Sequence, residues 1–219
     1  MRNRFDRELN KMHEDLVSMA ALVETAISRA VEALKRYDAD LARMTMEGDK
    51  DVDEKEREIE SICLKLLLQQ QPVARDLREI STALKMITDL ERIGDLAEDI
   101  AEVTLFLCEK PSYVAPKQLS HMAEATIKMV RDSIDAFVAR DLAAAHAVIE
   151  YDDVVDELFA ETRTVLVERI HETMEDAEQA MDIMMIAKYF ERIGDHAVNI
   201  SEWVEFSITG THKKMRVLG

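Results

Sequence analysis

Glu91-Arg92-Ile93-Gly94-Asp95 recurs unchanged one hundred residues later as Glu191-Arg192-Ile193-Gly194-Asp195. Carried outward without gaps over 86–103 and 186–203, the match adds Ala97/Ala197, Ile100/Ile200 and Glu102/Glu202. A second ungapped block pairs 33–54 with 136–157 and shares Ala33/Ala136, Asp38/Asp141, Ala42/Ala145, Glu47/Glu150, Asp49/Asp152, Val52/Val155, Asp53/Asp156 and Glu54/Glu157. The offset slips from 103 to 100 between the blocks, which puts one small length change in the intervening turn. Two blocks in the same order at nearly constant spacing mark an internal duplication, so both halves take one fold.

That fold is helical. The 219 residues are 47% hydrophobic and 33% charged, with five glycines and three prolines, a composition rich in helix formers. Ala83, Met86, Leu90, Ile93, Ala97, Ile100 and Thr104 follow one another in steps of three and four, and Ile183, Ile186, Phe190, Ile193, Ala197, Ile200 and Val204 repeat the stripe. Such spacing buries one face of a helix. Punctuation then predicts helices over 5–36, 38–70, 72–109, 117–139, 141–172 and 175–208, with Pro72 in a first turn and Gly210 as a stop. Helices of ~30 residues are ~45 Å long, and short turns force neighbours to run antiparallel. The expectation is an all-α chain of two tandem, pseudo-symmetric antiparallel three-helix bundles: 1–110, a linker at 111–116, and 117–219.

The duplication also repeats carboxylates. Glu91 and Asp95 stand four apart on one helix face, Asp99 continues the line, and Asp49 and Asp53 have the same spacing on the preceding helix. The second half supplies Asp152 with Asp156, and Glu191 with Asp195, followed by Asn199. Like charges at this spacing destabilise a helix by roughly 0.2–0.5 kcal/mol per pair. Four pairs retained in register call for compensation, and oxygen-rich sites suit magnesium, manganese, calcium or iron, with zinc also open. Gly94 and Gly194 cost ~1 kcal/mol each inside a helix, and a missing side chain there would keep the space between the acids clear. A solvated face bridged to Arg92 and Arg192 is the plainer reading.

Other features exclude or carry less. A net charge of −17, acidic in both halves, argues against nucleic acid, and no Gly-rich phosphate loop is present. Cys63 and Cys108 have no metal or redox spacing and read as reduced thiols. No apolar run has the length of a membrane span, and Met1-Arg2-Asn3-Arg4-Phe5-Asp6 lacks a signal segment, so a cytoplasmic protein is expected. His196 adjoins Asp195 but sits about 100° round the helix, which suits a supporting or surface role. Glu168-Arg169-Ile170-His171 is a single ExxH where a di-iron bundle needs two. No nucleophile–base arrangement is visible. Lys213, Lys214 and Arg216 form a short basic tail.

Gln71-Pro72-Val73-Ala74-Arg75-Asp76-Leu77-Arg78 followed by Asp89-Leu90-Glu91-Arg92-Ile93-Gly94-Asp95 resembles the first half of the PhoU family, the phosphate-specific transport system accessory proteins. The stretch Met185 to Trp203 resembles the second half, and the likeness covers essentially the whole chain. It implies PhoU-like, spectrin-like bundles whose E(D)xxxD motifs hold multinuclear metal clusters, here at Asp49, Asp53, Glu91, Asp95, Asp152, Asp156, Glu191 and Asp195. Asp99 and Asn199 follow as extra ligands. It also implies a cytoplasmic, non-enzymatic negative regulator of phosphate uptake, a homodimer that links the ATPase subunit of the phosphate ABC transporter to a sensor histidine kinase. Such a protein is peripheral at the membrane through those partners. A carboxylate-bridged metalloenzyme stays open as the alternative. The second half reads Glu175-Asp176-Ala177-Glu178-Gln179-Ala180 in place of the Gln-Pro element, so the two bundles are expected to differ in partner surface.

Overall fold

The computed structural model describes residues 2–69, 73–109 and 114–211. These form six α-helices: α1 (Arg2–Arg36), α2 (Ala39–Gln69), α3 (Ala74–Cys108), α4 (Gln118–Ala139), α5 (Leu142–Glu172) and α6 (Ala177–Thr209). One 3₁₀ turn, Met174–Asp176, precedes α6, and no strand occurs among the described residues. Pro72, the first half of the expected linker (111–113) and the basic tail lie outside them. Val73 is the N-cap of α3, so that helix begins past Pro72.

The short turns show why each hairpin closes. Tyr37 (φ 51°) and Arg140 (φ 55°) take the left-handed conformation that ends a helix. The next residue then donates its N–H back to the fifth preceding carbonyl, Asp38 to Ala33 at 3.0 Å and Asp141 to Ala136 at 2.9 Å. The same aspartates cap the following helices: Asp38 Oδ1 accepts from the N–H of Leu41 at 3.0 Å, and Asp141 Oδ1 from that of Ala144 at 3.0 Å. Gly210 (φ 76°) stops α6 in a conformation that a side chain would strain.

Both predicted stripes are fully buried from end to end. Each large apolar side chain removed from water contributes roughly 1.5–3 kcal/mol, so these two helices anchor the core. Within each half, three helices pack on one another; between halves, α3 lies antiparallel to α6 and α1 crosses α4. One apolar core runs through both halves. The bundles are therefore fused along a seam, and α2 and α5 occupy opposite outer edges. Both cysteines are free; Cys63 is buried, its thiol pushed up to about 12 by burial, while Cys108 is only half-buried.

A buried ion network holds one end of the seam. Glu79 of α3, 6% exposed, meets Arg140 Nη1 at 2.9 Å from the α4–α5 turn and lies 2.9 Å from His13 Nε2 of α1. Burial works to raise the Glu79 carboxyl, yet His13, Arg140 and Arg75 outweigh it and hold it below the ordinary carboxylate range. Gln179, the neutral counterpart in the second half, is buried with an unpartnered Oε1.

Candidate metal centres at the two repeated crossings

The acids gather where the middle and last helices of each half cross. On α3 the crossing point is Gly94. A Cβ there would stand 3.0 Å from Asp49 Oδ1 and 3.1 Å from Val52 Cγ1 of α2. On α6 it is Gly194, whose added Cβ would stand 2.9 Å from Asp152 Oδ1 and 3.5 Å from Val155 Cγ1 of α5. The glycines thus do more than leave a face clear: they let the partner helix approach until an aspartate lies over the backbone. Val52 and Val155 are buried beside them, which fixes the register that seats Asp49 and Asp152.

Those two aspartates sense the greatest crowding of charge. Asp49 is pushed up to about 6, first by burial and then by Glu98, Asp95, Asp53 and Glu91. Asp152 is likewise pushed up to about 6 by burial, then by Asp156, Asp195, Glu191 and Asp153. Burial and Asp95 raise Glu91, with Arg92 opposing; burial and Glu191 raise Asp195, with Lys188 opposing. All eight carboxylates of the repeated motifs thus fall at two crossings, four at each.

Asp99 and Asn199 also reach the seam between the halves. Asn199 Nδ2 lies 3.5 Å from Asp89 Oδ1, and His196 Nδ1 lies 2.8 Å from the same oxygen. The pseudo-equivalent pair is Asp99 with Tyr189, whose phenol is pushed up by burial and then by Asp99 and Glu102. Burial, Glu102 and Asp95 raise Asp99 itself, while Arg192 lowers it. His196 joins the halves rather than reaching out as a ligand. His171 of the ExxH stretch is exposed and turned onto its own helix, at 3.0 Å from Val167 O.

Two carboxylates that the repeat does not point to join the first crossing. Glu98 is the neighbour that acts most strongly on Asp49, and Glu56 is raised by burial and then by Glu91, Glu60 and Asp53. Their counterparts are Val198 and Phe159, so a search for acids shared by both halves passes over them. Their spacing was available: 49, 53, 56 and 91, 95, 98 each follow one face through two turns. Cations differ as well. Arg92 spans Asp95 at 2.8 Å and Glu91 at 3.5 Å, whereas at the second crossing Lys188 pairs with Glu191 and lies 5.6 Å from the centre of the Phe159 ring.

All-oxygen clusters of anionic side chains suit a hard, oxygen-seeking cation. A half-buried carboxylate pushed up to about 6 by burial and then by neighbouring acids, beside a backbone notch, fits such an ion. Among the described residues no three His, Cys, Asp or Glu side chains already converge as a coordination sphere, so bound cations would have to draw the carboxylates together.

Comparison with known proteins places the molecule. The PhoU domain model matches twice, over residues 16–104 and 119–204. The chain is 40% identical over 211 residues to the Thermotoga maritima phosphate-specific transport system accessory protein PhoU homolog 1, covering 96% of this chain and 91% of that protein. It is 37% identical over 213 residues to the Pseudomonas aeruginosa homolog, covering 94% and 86%. The crystal structure of PhoU from Pseudomonas aeruginosa superimposes with a TM-score of 0.89 at 36% identity, covering 94% of this chain and 100% of that one. The phosphate transport system regulatory protein PhoU from Streptococcus pneumoniae gives 0.88 at 26% identity, covering 94% and 98%. These relatives are named as accessory or regulatory proteins, not enzymes. Duplicated bundle, glycine crossings and matched sequence agree, and the chain belongs to the non-catalytic PhoU family.

Proposed function

We propose that the chain is a regulatory accessory of phosphate transport, which carries metal ions at its two acidic crossings and acts by docking other proteins. The observation that carries this reading is a carboxylate seated over a glycine notch, built twice in a chain whose relatives are named for the phosphate transport system. Asp49, Asp53, Glu91 and Asp95, with Glu56 and Glu98, would hold cations at the first crossing; Asp152, Asp156, Glu191 and Asp195 would hold them at the second. Iron, manganese, magnesium and zinc all remain candidates, since carboxylate sites select by geometry and supply. Bound cations would neutralise the crowded acids and offer a positive point on an otherwise acidic surface to a carboxylate or phosphate of a partner.

The partners that suit this role are the ATPase subunit of the phosphate ABC transporter and a phosphate-sensing histidine kinase at the cytoplasmic face. There the chain, working as a homodimer, would silence uptake and the starvation response when phosphate is plentiful. No helix among the described residues is long and apolar enough to cross a membrane, which agrees with attachment through partners. No observation favours the metalloenzyme: the one histidine beside an acid motif, His196, is engaged with Asp89. The test is alkaline phosphatase activity and phosphate uptake in phosphate-replete cells lacking the gene, with add-back of wild type or Asp49→Asn/Asp152→Asn. High activity returned to low by wild type alone supports both parts of the reading. Repression by both chains removes the metal from it, and no change on deletion contradicts the regulatory role.

A further inference from the structure

The two ends of the seam fill the same positions with different chemistry. At one end Glu79 lies between Arg140 and His13, each 2.9 Å away. The duplication sets Gln179 opposite Glu79 at an offset of 100, and Tyr37 and Pro116 opposite Arg140 and His13 at an offset of 103. Both cations and the anion are thus gone from the second end, and polar groups stay behind without partners. Gln179 is 8% exposed and its Oε1 accepts no hydrogen bond. The hydroxyl of half-buried Tyr37 is shut off from solvent and equally unpartnered. Buried polar atoms are rarely left unpaired, because each has given up its water for nothing. What the first end supplies from its own side chains, the second lacks.

There is room for a ligand to supply it. Tyr37 and Pro116 line a pocket of 290 Å³, far more than the ~30 Å³ that one water takes. The pseudo-symmetry sets Gln179 between those two residues, as Glu79 is set between Arg140 and His13. Val31, Leu34 and Leu119 give the pocket an apolar wall, and the exposed Lys35 and Lys117 stand at its rim. No carboxylate lines it. The acids of the neighbouring turns are engaged: Glu32 with Arg36 at 2.5 Å, Asp38 with the start of α2, and Asp176 with Arg169 at 3.5 Å. Lys117 is also the N-cap of α4, whose first turn no side chain caps, so the positive end of that helix adds to the two lysines. Burial and then Cys108 push the Tyr37 phenol up, with Arg169 opposing, so its hydroxyl keeps its proton and can donate. We propose that this pocket binds a compact organic anion: a carboxylate held by Lys35 and Lys117, a carbon ring against Val31, Leu34 and Leu119, and a hydroxyl that donates to Gln179 Oε1 and accepts from Tyr37. Bound there, it ties the α1–α2 turn to α6 across the two halves, as Glu79 ties α3 to the α4–α5 turn. The site is separate from both acidic crossings and needs no metal.

The proposal is tested by isothermal titration of the full chain, in EDTA, with 4-hydroxybenzoate, with benzoate, which lacks the hydroxyl, and with 4-hydroxybenzamide, which lacks the charge. The hydroxybenzoate should bind once per chain, and each of the other two about tenfold more weakly or worse, the worth of one hydrogen bond or one charge contact. Tyr37→Phe and Gln179→Met remove only unpaired atoms, so both should keep the wild-type circular dichroism spectrum and melting temperature. Each should weaken 4-hydroxybenzoate about tenfold and leave benzoate unchanged. Lys35→Ala/Lys117→Ala should weaken both acids and spare the amide. Absence of binding by 4-hydroxybenzoate, equal binding of the three probes, or indifference to Tyr37→Phe and Gln179→Met overturns the proposal. Inorganic phosphate that displaces 4-hydroxybenzoate while ignoring both variants overturns it too, and leaves a plain anion site at the two lysines. A crystal structure with 4-hydroxybenzoate in which water alone joins Tyr37 to Gln179 has the same force.

Discussion

The two crossings share a backbone and differ in charge. At each, an aspartate lies over a helical glycine with a buried valine beside it, and at each that aspartate is pushed up to about 6. Around this common centre the first crossing gathers Glu56 and Glu98, where the second has Phe159 and Val198 and brings in Lys188. The features held constant are those that place the carboxylate; the surrounding charge has drifted. Geometry at a crossing is set by side chains that interlock, where one misfit is felt throughout, whereas charge on a half-exposed rim tolerates change because water screens it. The first crossing thus gathers more acid than the second.

The same contrast runs along the seam. Glu79 in the first half is buried between His13 and Arg140, and its counterpart Gln179 is neutral. Glu79→Gln makes the halves alike and strands Arg140 and His13 without their anion. Losing one partner of a fully buried pair costs about 3–5 kcal/mol; the partial exposure of Arg140 and His13 lowers the expected loss to about 2 kcal/mol. Urea unfolding reads it, and an unchanged midpoint would show that the network adds nothing beyond Gln179's arrangement.

The glycines break the symmetry in a second way. An added Cβ at Gly94 meets both the carboxylate tip and the stiff, buried Val52 side chain at 3.1 Å. Overpacking of about 1–3 kcal/mol exceeds the ~1 kcal/mol gained in helix propensity, so Gly94→Ala should lose about 1 kcal/mol net. At Gly194 the only close atom is the tip of Asp152, which can swing aside, and Val155 stands back at 3.5 Å. Gly194→Ala should therefore stay within about 0.5 kcal/mol of wild type, its overpacking offset by helix propensity, while displacing the carboxylate. Equal losses at both sites would mean that the valines do not decide the outcome.

The smallest effect is on pH. Asp49 and Asp152 titrate near 6 when folded, against an ordinary 3.8, so the folded chain binds protons that the unfolded chain releases. Their contribution is present below pH 3.8 and is lost as pH rises through about 6. Glu79 has the opposite sign: its contribution is present above the ordinary carboxylate pKa and is lost as pH falls through its lowered one. In EDTA, Asp49→Asn should flatten the decline between pH 4 and 6 while leaving the acid limb alone. Thermal unfolding across pH checks both limbs.

Much of this architecture could be read from sequence because it rests on local signals. Asp38 and Asp141 mark two helix starts, Gly210 a stop, and the two stripes name buried residues without exception. The eight motif acids followed from the duplication, which preserves geometry. The duplication also hid what lies outside it: Glu56 and Glu98 have no acidic twins, and the close helix approach at Gly94 cannot be seen from one strand of text. Asp99 and Asn199 lie one turn beyond Asp95 and Asp195, where the seam between halves also reaches them. That seam depends on which faces of two bundles meet, information that no single helix carries.

The most direct test is thermal unfolding at pH 7 with and without manganese, for wild type, Asp49→Asn, Asp152→Asn and the double variant. A cation that binds only the folded chain at a hundredfold excess over its Kd adds about 2.7 kcal/mol, or roughly 5 °C or more for a chain of this size. The account predicts that rise in wild type, a larger share of it lost with Asp49→Asn than with Asp152→Asn, and none left in the double variant. A melting temperature indifferent to manganese, magnesium, iron and zinc, or a full rise retained by the double variant, would contradict it.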